Sequence, residues 1–350
     1  MILIDVLIWV VAVTIAVPVS VFIAEVILAM VGGSPAAEPS IDQGDLPSFN
    51  VIVPAHNESQ TIGRTLKALT EDVPDTSRIV VVADNCTDNT AEVARKFGVT
   101  VLERQNLEQR GKGFALAAAL ETLRETPPDV VVFVDADCLA ESGSIPALVR
   151  AASNADRPSQ LVYLLSPPPA GDYRAAVSWL AMTFKNLVRP RGVARLGGPC
   201  HILGTGFAVP WSMVERVEFG TGNIVEDMQL GIDLALSGSA PRFCEAGRVL
   251  SDMAPTDSAA ETQRTRWEHG HMQTLATQVP RLLGGFARRF DPRLLLMALD
   301  LAVPPLSLLV LGWLAATIVC VVGAVLGTTI WPGVVVVGLG VGLVVSVLGG

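Results

Sequence analysis

The stretch VVVFVDADCLA, residues 130–140, decides how this chain reads. Val130 to Val134 are apolar and rich in valine, so they read as a buried strand. The strand ends on Asp135 and Asp137, two carboxylates one residue apart. Like charges that close repel each other, so the pattern calls for something positive beside them.

Working outward, comparable apolar runs occur at FNVIVPA (49–55), RIVVVAD (78–84), VTVLE (99–103) and LVYLL (161–165). Helical patterns lie between the early ones: SQTIGRTLKAL (59–69), TAEVARKFG (90–98) and KGFALAAALETLRE (112–125). Asn89 or Thr90 predicts the cap of the second helix, and Gly98 falls past its end. The third stops before Pro127 and Pro128. Strand and helix alternate, which predicts an α/β fold with a mostly parallel sheet and helices on both faces.

Such sheets bind ligands beyond the C-terminal ends of their strands. The first strand delivers Pro54, Ala55, His56, Asn57 and Glu58; the second delivers Asp84 and Asn85; the fourth delivers Asp135 and Asp137. Singly, an Asp or Asn at a strand end is an ordinary turn former. Acids at three strand ends point to a site. Asp135 and Asp137 suit a hard divalent cation, Mg2+ or Mn2+, bound through oxygen. Such a cation keeps positions open for phosphate oxygens and stabilises a departing diphosphate. Glu58 and Asp84 only accept hydrogen bonds when ionised, which suits the donors of a base or ribose. Lys112 opens a helix, where its charge and the helix N-terminus favour phosphate. A solvated lysine at a helix start is the plainer alternative. Together these residues describe a site for a nucleoside-diphosphate compound.

The segments VIVPAHNES, VVADNCTDNT, GKG, VDADC, GTGFAV, VEDMQLG and QRTRW follow in that order between about 49 and 280. This succession resembles the membrane-integrated glycosyltransferases of family 2, the group that holds the cellulose, chitin and hyaluronan synthases and the ceramide glucosyltransferases. The resemblance implies a GT-A-like, Rossmann-type nucleotide-sugar-binding domain flanked by transmembrane helices. It implies that Pro54, His56, Glu58 and Asp84 hold the nucleoside of a UDP-sugar, with Lys112 near the diphosphate. Asp135 would lie by ribose and metal, and Asp137 would be the main metal ligand. Asp227 would be the general base, Arg266 would hold the diphosphate, and Gln263, Trp267 and Glu226 would line the acceptor side. Two departures bear on the acceptor: Val225 stands where polymer synthases often have Thr, and CHILGTGFAV (200–209) differs from the cysteine-containing motif of cellulose synthases.

The residues themselves are consistent with that chemistry. An acceptor hydroxyl is a poor nucleophile until a base takes its proton, and an inverting transfer needs one such base. Arg266 suits a diphosphate because its planar fork matches phosphate oxygens bidentately. Alternatives stay open. Glu226 and Asp227 also read as acids favouring a helix start, and Trp267 as an aromatic lying on a membrane surface. His269 and His271 are two apart, so on a helix they do not face one another and are not read as a metal pair. His201 has no assigned role.

Half of the 350 residues are hydrophobic, unevenly spread. Val6 to Ala24 carries no charge, nor does Leu301 to Gly350. The expected organisation is an N-terminal transmembrane helix at 1–31, a Pro/Gly/Ser-rich linker at 32–48, a glycosyltransferase domain at 49–280, an interfacial amphipathic segment at 281–300, and two transmembrane helices at 301–350. A cleaved signal peptide needs a basic start, which MILID lacks. Arg281, Arg288, Arg289 and Arg293 before the C-terminal spans place that side in the cytoplasm of an inner-membrane, multi-pass protein. The chain stops inside apolar residues, which leaves a further segment open. Asp300, ahead of Pro304 and Pro305, either ends an interfacial helix or faces the acceptor path. The cysteines at 86, 138, 200, 244 and 320 form no C-x-x-C pair and read as unpaired thiols. A net charge of −9 excludes a nucleic-acid partner, which calls for a basic face.

The expected activity is sugar transfer from a UDP-sugar to a polysaccharide or, in a single addition, to a lipid. One to three helices make a poor pore without homo-oligomerisation, which favours the lipid. A nucleotidyltransferase and a non-catalytic sugar-nucleotide-binding membrane protein are the rivals.

Overall fold

A computed structural model describes residues 2–31, 46–217, 219, 226–253 and 257–349; the side chains of Glu226 and of 257–260 lie outside that description, as does Val225. The chain divides into two compact units. One holds residues 1–33, 180–198 and 264–350; the other holds 34–179 and 199–263. The segment 180–198 therefore groups with the apolar helices, although the sequence reading sets it inside the 49–280 domain.

In chain order the helices are α1 (Ile2–Met30), α2 (Ile62–Asp72), α3 (Thr90–Arg95), α4 (Lys112–Leu123), α5 (Ser144–Ala155), α6 (Tyr173–Thr183), α7 (Arg189–Arg195), α8 (Trp211–Val214), α9 (Glu226–Leu236), α10 (Asp257–Arg289), α11 (Pro292–Leu301), α12 (Leu306–Val325) and α13 (Trp331–Gly349). The strands are β1 (Phe49–Ala55), β2 (Ile79–Asp84), β3 (Thr100–Arg104), β4 (Val130–Phe133), β5 (Cys138–Ala140), β6 (Ser159–Leu165), β7 (Phe207–Pro210) and β8 (Arg242–Ser251).

The strands form one sheet in the order β3-β2-β1-β4-β7-β6-β8-β5. The β3-β2-β1-β4 block is parallel, β6 pairs parallel with β8, and the pairings β4–β7, β6–β7 and β5–β8 are antiparallel. This is the mostly parallel, GT-A-like α/β arrangement expected. The sequence reading did not assign β5, β7 and β8 as strands; they are short, or carry polar residues between the apolar ones. Successive residues of a strand point to opposite faces, and each face has its own core. Val51, Val53, Val81, Val130 and Val132 pack with Ile62 and Leu66 of α2 and Leu148 of α5. Ile52, Val80, Val82, Val131 and Phe133 pack with Leu116 of α4 and Leu234 of α9. All six residues of β2 are buried, as a strand covered on both faces must be.

In the other unit, α1, α12 and α13 are, among the described residues, long and apolar enough to cross a bilayer. Arg189 at the start of α7 joins three elements. Its Nε donates to Glu25 Oε2 of α1 at 2.6 Å and its Nη2 to Asp300 Oδ1 of α11 at 2.6 Å, all three side chains being buried. A Cβ on Gly192 would lie 2.0 Å from the Glu25 carbonyl oxygen, so α7 meets α1 backbone to backbone. Asp300 sits one residue before the end of α11, and its carboxylate faces this guanidinium. Buried charges are retained when paired in this way.

Candidate active site

The sheet itself opens the crevice. The β1–β4 ladder ends at Ile52↔Phe133, with Val134 N–H donating to the Ile52 carbonyl at 3.1 Å. Pro54, two residues on, has no N–H with which to extend the pairing. Beyond it β1 runs with β2 on one side while β4 lies on the other, which is the switch point where such sheets bind ligands.

After β1 the chain turns at Asn57, whose φ of 57° lies in the left-handed region that Asn tolerates. Its Oδ1 accepts the Thr87 N–H at 2.7 Å. His56 Nδ1 lies 2.7 Å from the Asp84 carbonyl oxygen; a carbonyl only accepts, so Nδ1 carries the proton. The turns after β1 and β2 are thus cross-tied. Glu58 accepts the Thr61 hydroxyl and donates its backbone N–H to Thr90 Oγ1 at 2.8 Å. Burial raises the Glu58 carboxyl above its ordinary value, and the charges of Asp137 and Asp135 add to this against the Thr61 bond. The acids of separate strand ends therefore feel one another.

Asp84 is not open to a ligand on all sides. Its Oδ1 accepts from Arg104 Nη1 at 2.7 Å, and both side chains are largely buried. Arg104 also donates to the Gln109 carbonyl at 2.8 Å. The sequence reading missed this partner because it ended VTVLE at Glu103 and weighed only acids at strand ends; a basic residue closing β3 beside Asp84 was the available signal. Asn85 serves as a turn former: its φ is 51° and its Oδ1 accepts the Asn106 N–H at 2.8 Å. Asn89 is the N-cap residue of α3, as expected, but its side chain makes no cap bond. Asp88 Oδ1 receives the Thr90 N–H instead, at 3.0 Å.

Lys112 supplies a positive group beside Asp135. It is ion-paired with Asp135 and donates to the Gly204 carbonyl at 2.7 Å. Burial works against the Lys112 charge, but Asp135 and then Asp227 outweigh it and hold the ammonium above its ordinary value. Asp135 is pushed up by burial and held down by Lys112. Its N–H donates to Thr205 Oγ1 at 3.0 Å, while Thr65 of α2 donates to the Ala136 carbonyl at 2.8 Å. These bonds fix the loop and leave Asp137 exposed.

Asp135, Asp137 and Cys138 present ligand atoms all within 4.8 Å of one another. Burial, reinforced by the two carboxylates, drives the Cys138 thiol far above its ordinary value. Two carboxylate groups beside a protonated thiol fit an oxygen-seeking Mg2+ or Mn2+. Among the described residues this group contains no histidine; His271 is buried with Nε2 3.1 Å from the Val303 carbonyl oxygen.

The GTGFAV segment brings the remaining partner. Gly204 has φ +91°, and a Cβ there would lie 2.5 Å from Asp227 Oδ2 and 3.5 Å from Lys112 Nζ. Only a glycine lets these groups meet. Gly206, at φ +63°, would put its Cβ 2.7 Å from Val249 Cγ2. Buried Gln160 clamps the loop, donating to the Thr205 carbonyl at 2.8 Å and accepting the Leu203 N–H at 2.9 Å. Asp227 also does what an acid at a helix start does: its Oδ1 accepts the Met228 N–H at 2.8 Å.

The structure therefore brings His56, Glu58, Asp84, Lys112, Asp135, Asp137 and Asp227 to the C-terminal side of the sheet. Gln263, Arg266 and Trp267 lie together on α10 at i, i+3 and i+4, which share one helix face. Arg266 is exposed, and Gln263 and Trp267 are half-buried. Gln263 belongs to the sheet unit and the other two to the unit of apolar helices. The Glu226 side chain lies outside the described residues.

Residues 47–270 match the profile of the family described as "Glycosyltransferase like family 2". The chain is 27% identical over 245 residues to the probable glycosyltransferase YdaM of Bacillus subtilis (strain 168), covering 65% of this chain and 56% of that protein. It is 32% identical over 120 residues to the low-salt glycan biosynthesis hexosyltransferase Agl6 of Haloferax volcanii, covering 33% of this chain and 27% of that protein. The chain thus spans only about half, or less, of the length of these relatives. The mannosyltransferase PcManGT of Pyrobaculum calidifontis, solved with GDP-Man and Mn2+, aligns over 97% of this chain and 99% of its own at a TM-score of 0.57 and 18% identity, a likeness of fold.

Proposed function

Because the chain belongs to glycosyltransferase family 2, we propose that it moves a sugar, with inversion, from a nucleoside-diphosphate donor to a hydroxyl of a lipid or polysaccharide at the cytoplasmic face of a membrane. UDP-sugars are the first donors to test. The observation that carries the reading is the meeting of Lys112, Asp135 and Asp227 around Gly204.

In this scheme Asp227 takes the proton of the acceptor hydroxyl at Oδ2, while the bond from Oδ1 to the Met228 N–H fixes its rotamer. Lys112 turns toward the diphosphate and answers its growing charge, aided by its place at the start of α4. Asp137, with Asp135, would hold Mg2+ or Mn2+, which supplies further positive charge against the departing diphosphate. Asp84, ion-paired with Arg104, and Glu58 receive donors of the base and ribose. Arg266, whose planar fork matches phosphate oxygens, and Gln263 and Trp267 keep the diphosphate and acceptor roles that the family resemblance implies. Helices α1, α12 and α13 anchor the domain.

The test uses purified full chain in lipid with UDP- and GDP-sugars, Mn2+ or Mg2+, and lipid or oligosaccharide acceptors, measuring the free nucleoside diphosphate. Acceptor-dependent UDP or GDP release supports transfer, and organic extraction of the product separates a lipid from a polysaccharide. Pyrophosphate release would instead mark a nucleotidyltransferase. Asp227→Asn should bind nucleotide but not transfer; full transfer by that variant would overturn the assignment of the base.

A further inference from the structure

Asp135 has two suitors of the same sign. Its carboxylate is ion-paired with the Lys112 ammonium. It also belongs to the group with Asp137 and Cys138, whose ligand atoms all lie within 4.8 Å of one another and which suits an oxygen-seeking dication. An ammonium and a dication drawn to one carboxylate repel each other. Asp135, Asp137 and Asp227 set three carboxylates against one ammonium at this rim, so a dication is attracted there even with Lys112 in place. Of the two cations the ammonium is the weaker partner for Asp135. It brings a single charge, whereas a dication carries two and joins Asp135 to Asp137 through oxygen.

The surroundings let the lysine leave. About a third of each side chain is open, 29% for Lys112 and 31% for Asp135, so parting them needs no unfolding. The backbone on both sides is held by other bonds. Asp135 N–H donates to Thr205 Oγ1 at 3.0 Å and Thr65 to the Ala136 carbonyl at 2.8 Å. Gln160 clamps the Gly204 turn through the Thr205 carbonyl and the Leu203 N–H. The ion pair is therefore spare as a fastening. Lys112 is moreover the first residue of α4, the end of a helix that favours anions and disfavours cations. Asp135 and, near the same Gly204 turn, Asp227 are what hold its charge there. Once Asp135 is neutralised by another cation, Lys112 lacks its main partner at a helix end that attracts phosphate.

We propose that Lys112 is a stand-in for the divalent cation at Asp135: it pairs with that carboxylate until the ion arrives, is displaced by it, and only then turns to the donor's diphosphate. This rests on the proposed function, which puts the ion at Asp137 and Asp135 and a diphosphate near Lys112; the displacement is the added claim. Two consequences follow. Without nucleotide, the ion binds more weakly than the carboxylates alone would allow, because it must evict an ammonium. A diphosphate that accepts the evicted ammonium then tightens the ion's binding.

Competitive acetylation of the purified full chain at one fixed pH, read by mass spectrometry, follows the ammonium itself and needs no variant. The four lysines are at 67, 96, 112 and 185, and exposed Lys67 and Lys96 serve as internal references. Relative to them, Lys112 should react severalfold more slowly in EDTA than with saturating Mg2+, and slowly again when UDP or GDP joins the Mg2+. Asp135→Asn should show the fast rate already in EDTA. In calorimetry without nucleotide, Lys112→Met should bind Mn2+ severalfold more tightly than the wild type, and added UDP or GDP should improve that binding less. Mg2+ that binds by calorimetry yet leaves Lys112 as slow as in EDTA would overturn the displacement and leave the proposed function standing. Mn2+ affinity unchanged or weakened in Lys112→Met would overturn it as well. A wild-type chain that binds neither ion, or binds Mn2+ equally well as Asp137→Asn, would remove the ion site and the stand-in together.

Discussion

Replacing Gly204 by alanine tests the assignment of Asp227 through a single methyl group. The new Cβ would stand 2.5 Å from Asp227 Oδ2. To reach even the tightest ordinary approach of 3.0 Å the carboxylate must retreat about half an ångström, and about 0.9 Å for the unstrained 3.4 Å contact. A misplacement near 1 Å costs on the order of 100-fold in rate, or about 2.7 kcal/mol of barrier. The alanine also sits at φ +91°, which costs about 1–2 kcal/mol of stability. Gly206→Ala is the control, because it carries similar backbone strain in the same loop but meets Val249 rather than the carboxylate. We expect both variants to lose comparable stability in denaturant titrations, and only Gly204→Ala to lose about two orders of magnitude in kcat, with nucleotide affinity by calorimetry little changed. A Gly204→Ala protein with wild-type kcat, or a Gly206→Ala protein equally slow, would show that the position of Asp227 does not limit transfer.

Other perturbations separate the roles of the remaining groups. Asp137→Asn should weaken Mn2+ binding, read by titration calorimetry, by more than the roughly 10–100-fold typical of losing an outer partner of a ligand; unchanged affinity would place the ion elsewhere. Arg104→Met leaves the Asp84 carboxylate buried without its cation, so about 3–5 kcal/mol of stability should be lost and the donor KM should rise, with Asp84→Asn in the same background restoring part of the stability. Arg189→Met strands Glu25 and Asp300 together, and a fall of similar size should appear in thermal unfolding in detergent. Glu58 holds its proton more tightly in the folded protein than at the ordinary value of 4.5. Its contribution to stability is therefore present below that pH and lost as pH rises through the raised folded value. Relative to Glu58→Gln, the wild type should lose stability from about pH 4.5 toward neutrality, and a flat difference between their unfolding midpoints would contradict the buried, acid-crowded setting.

The sequence by itself determined the parallel block of the sheet and the acids at its rim. Continuous valine-rich runs can be satisfied only by strands covered on both faces, and a strand's C-terminal residue must fall at the sheet's edge whatever the rest of the chain does. It also determined the long apolar helices, since nothing but length and hydropathy is needed to read them. The partners of those acids were legible only in space. Arg104 closes a neighbouring strand 20 residues beyond Asp84, and Lys112 pairs directly with Asp135 beside the Gly204 turn that Asp227 of α9 also approaches. The Arg189 tie joins residues 164 and 111 positions apart. Local pattern carries no information about which distant charge will be nearest, because that follows from how the strands are ordered and where two glycines let the backbone turn. Tertiary structure therefore decided that Lys112 answers Asp135 while Asp137 stays exposed, and it showed Gly204 as the point where Lys112 and Asp227 draw close.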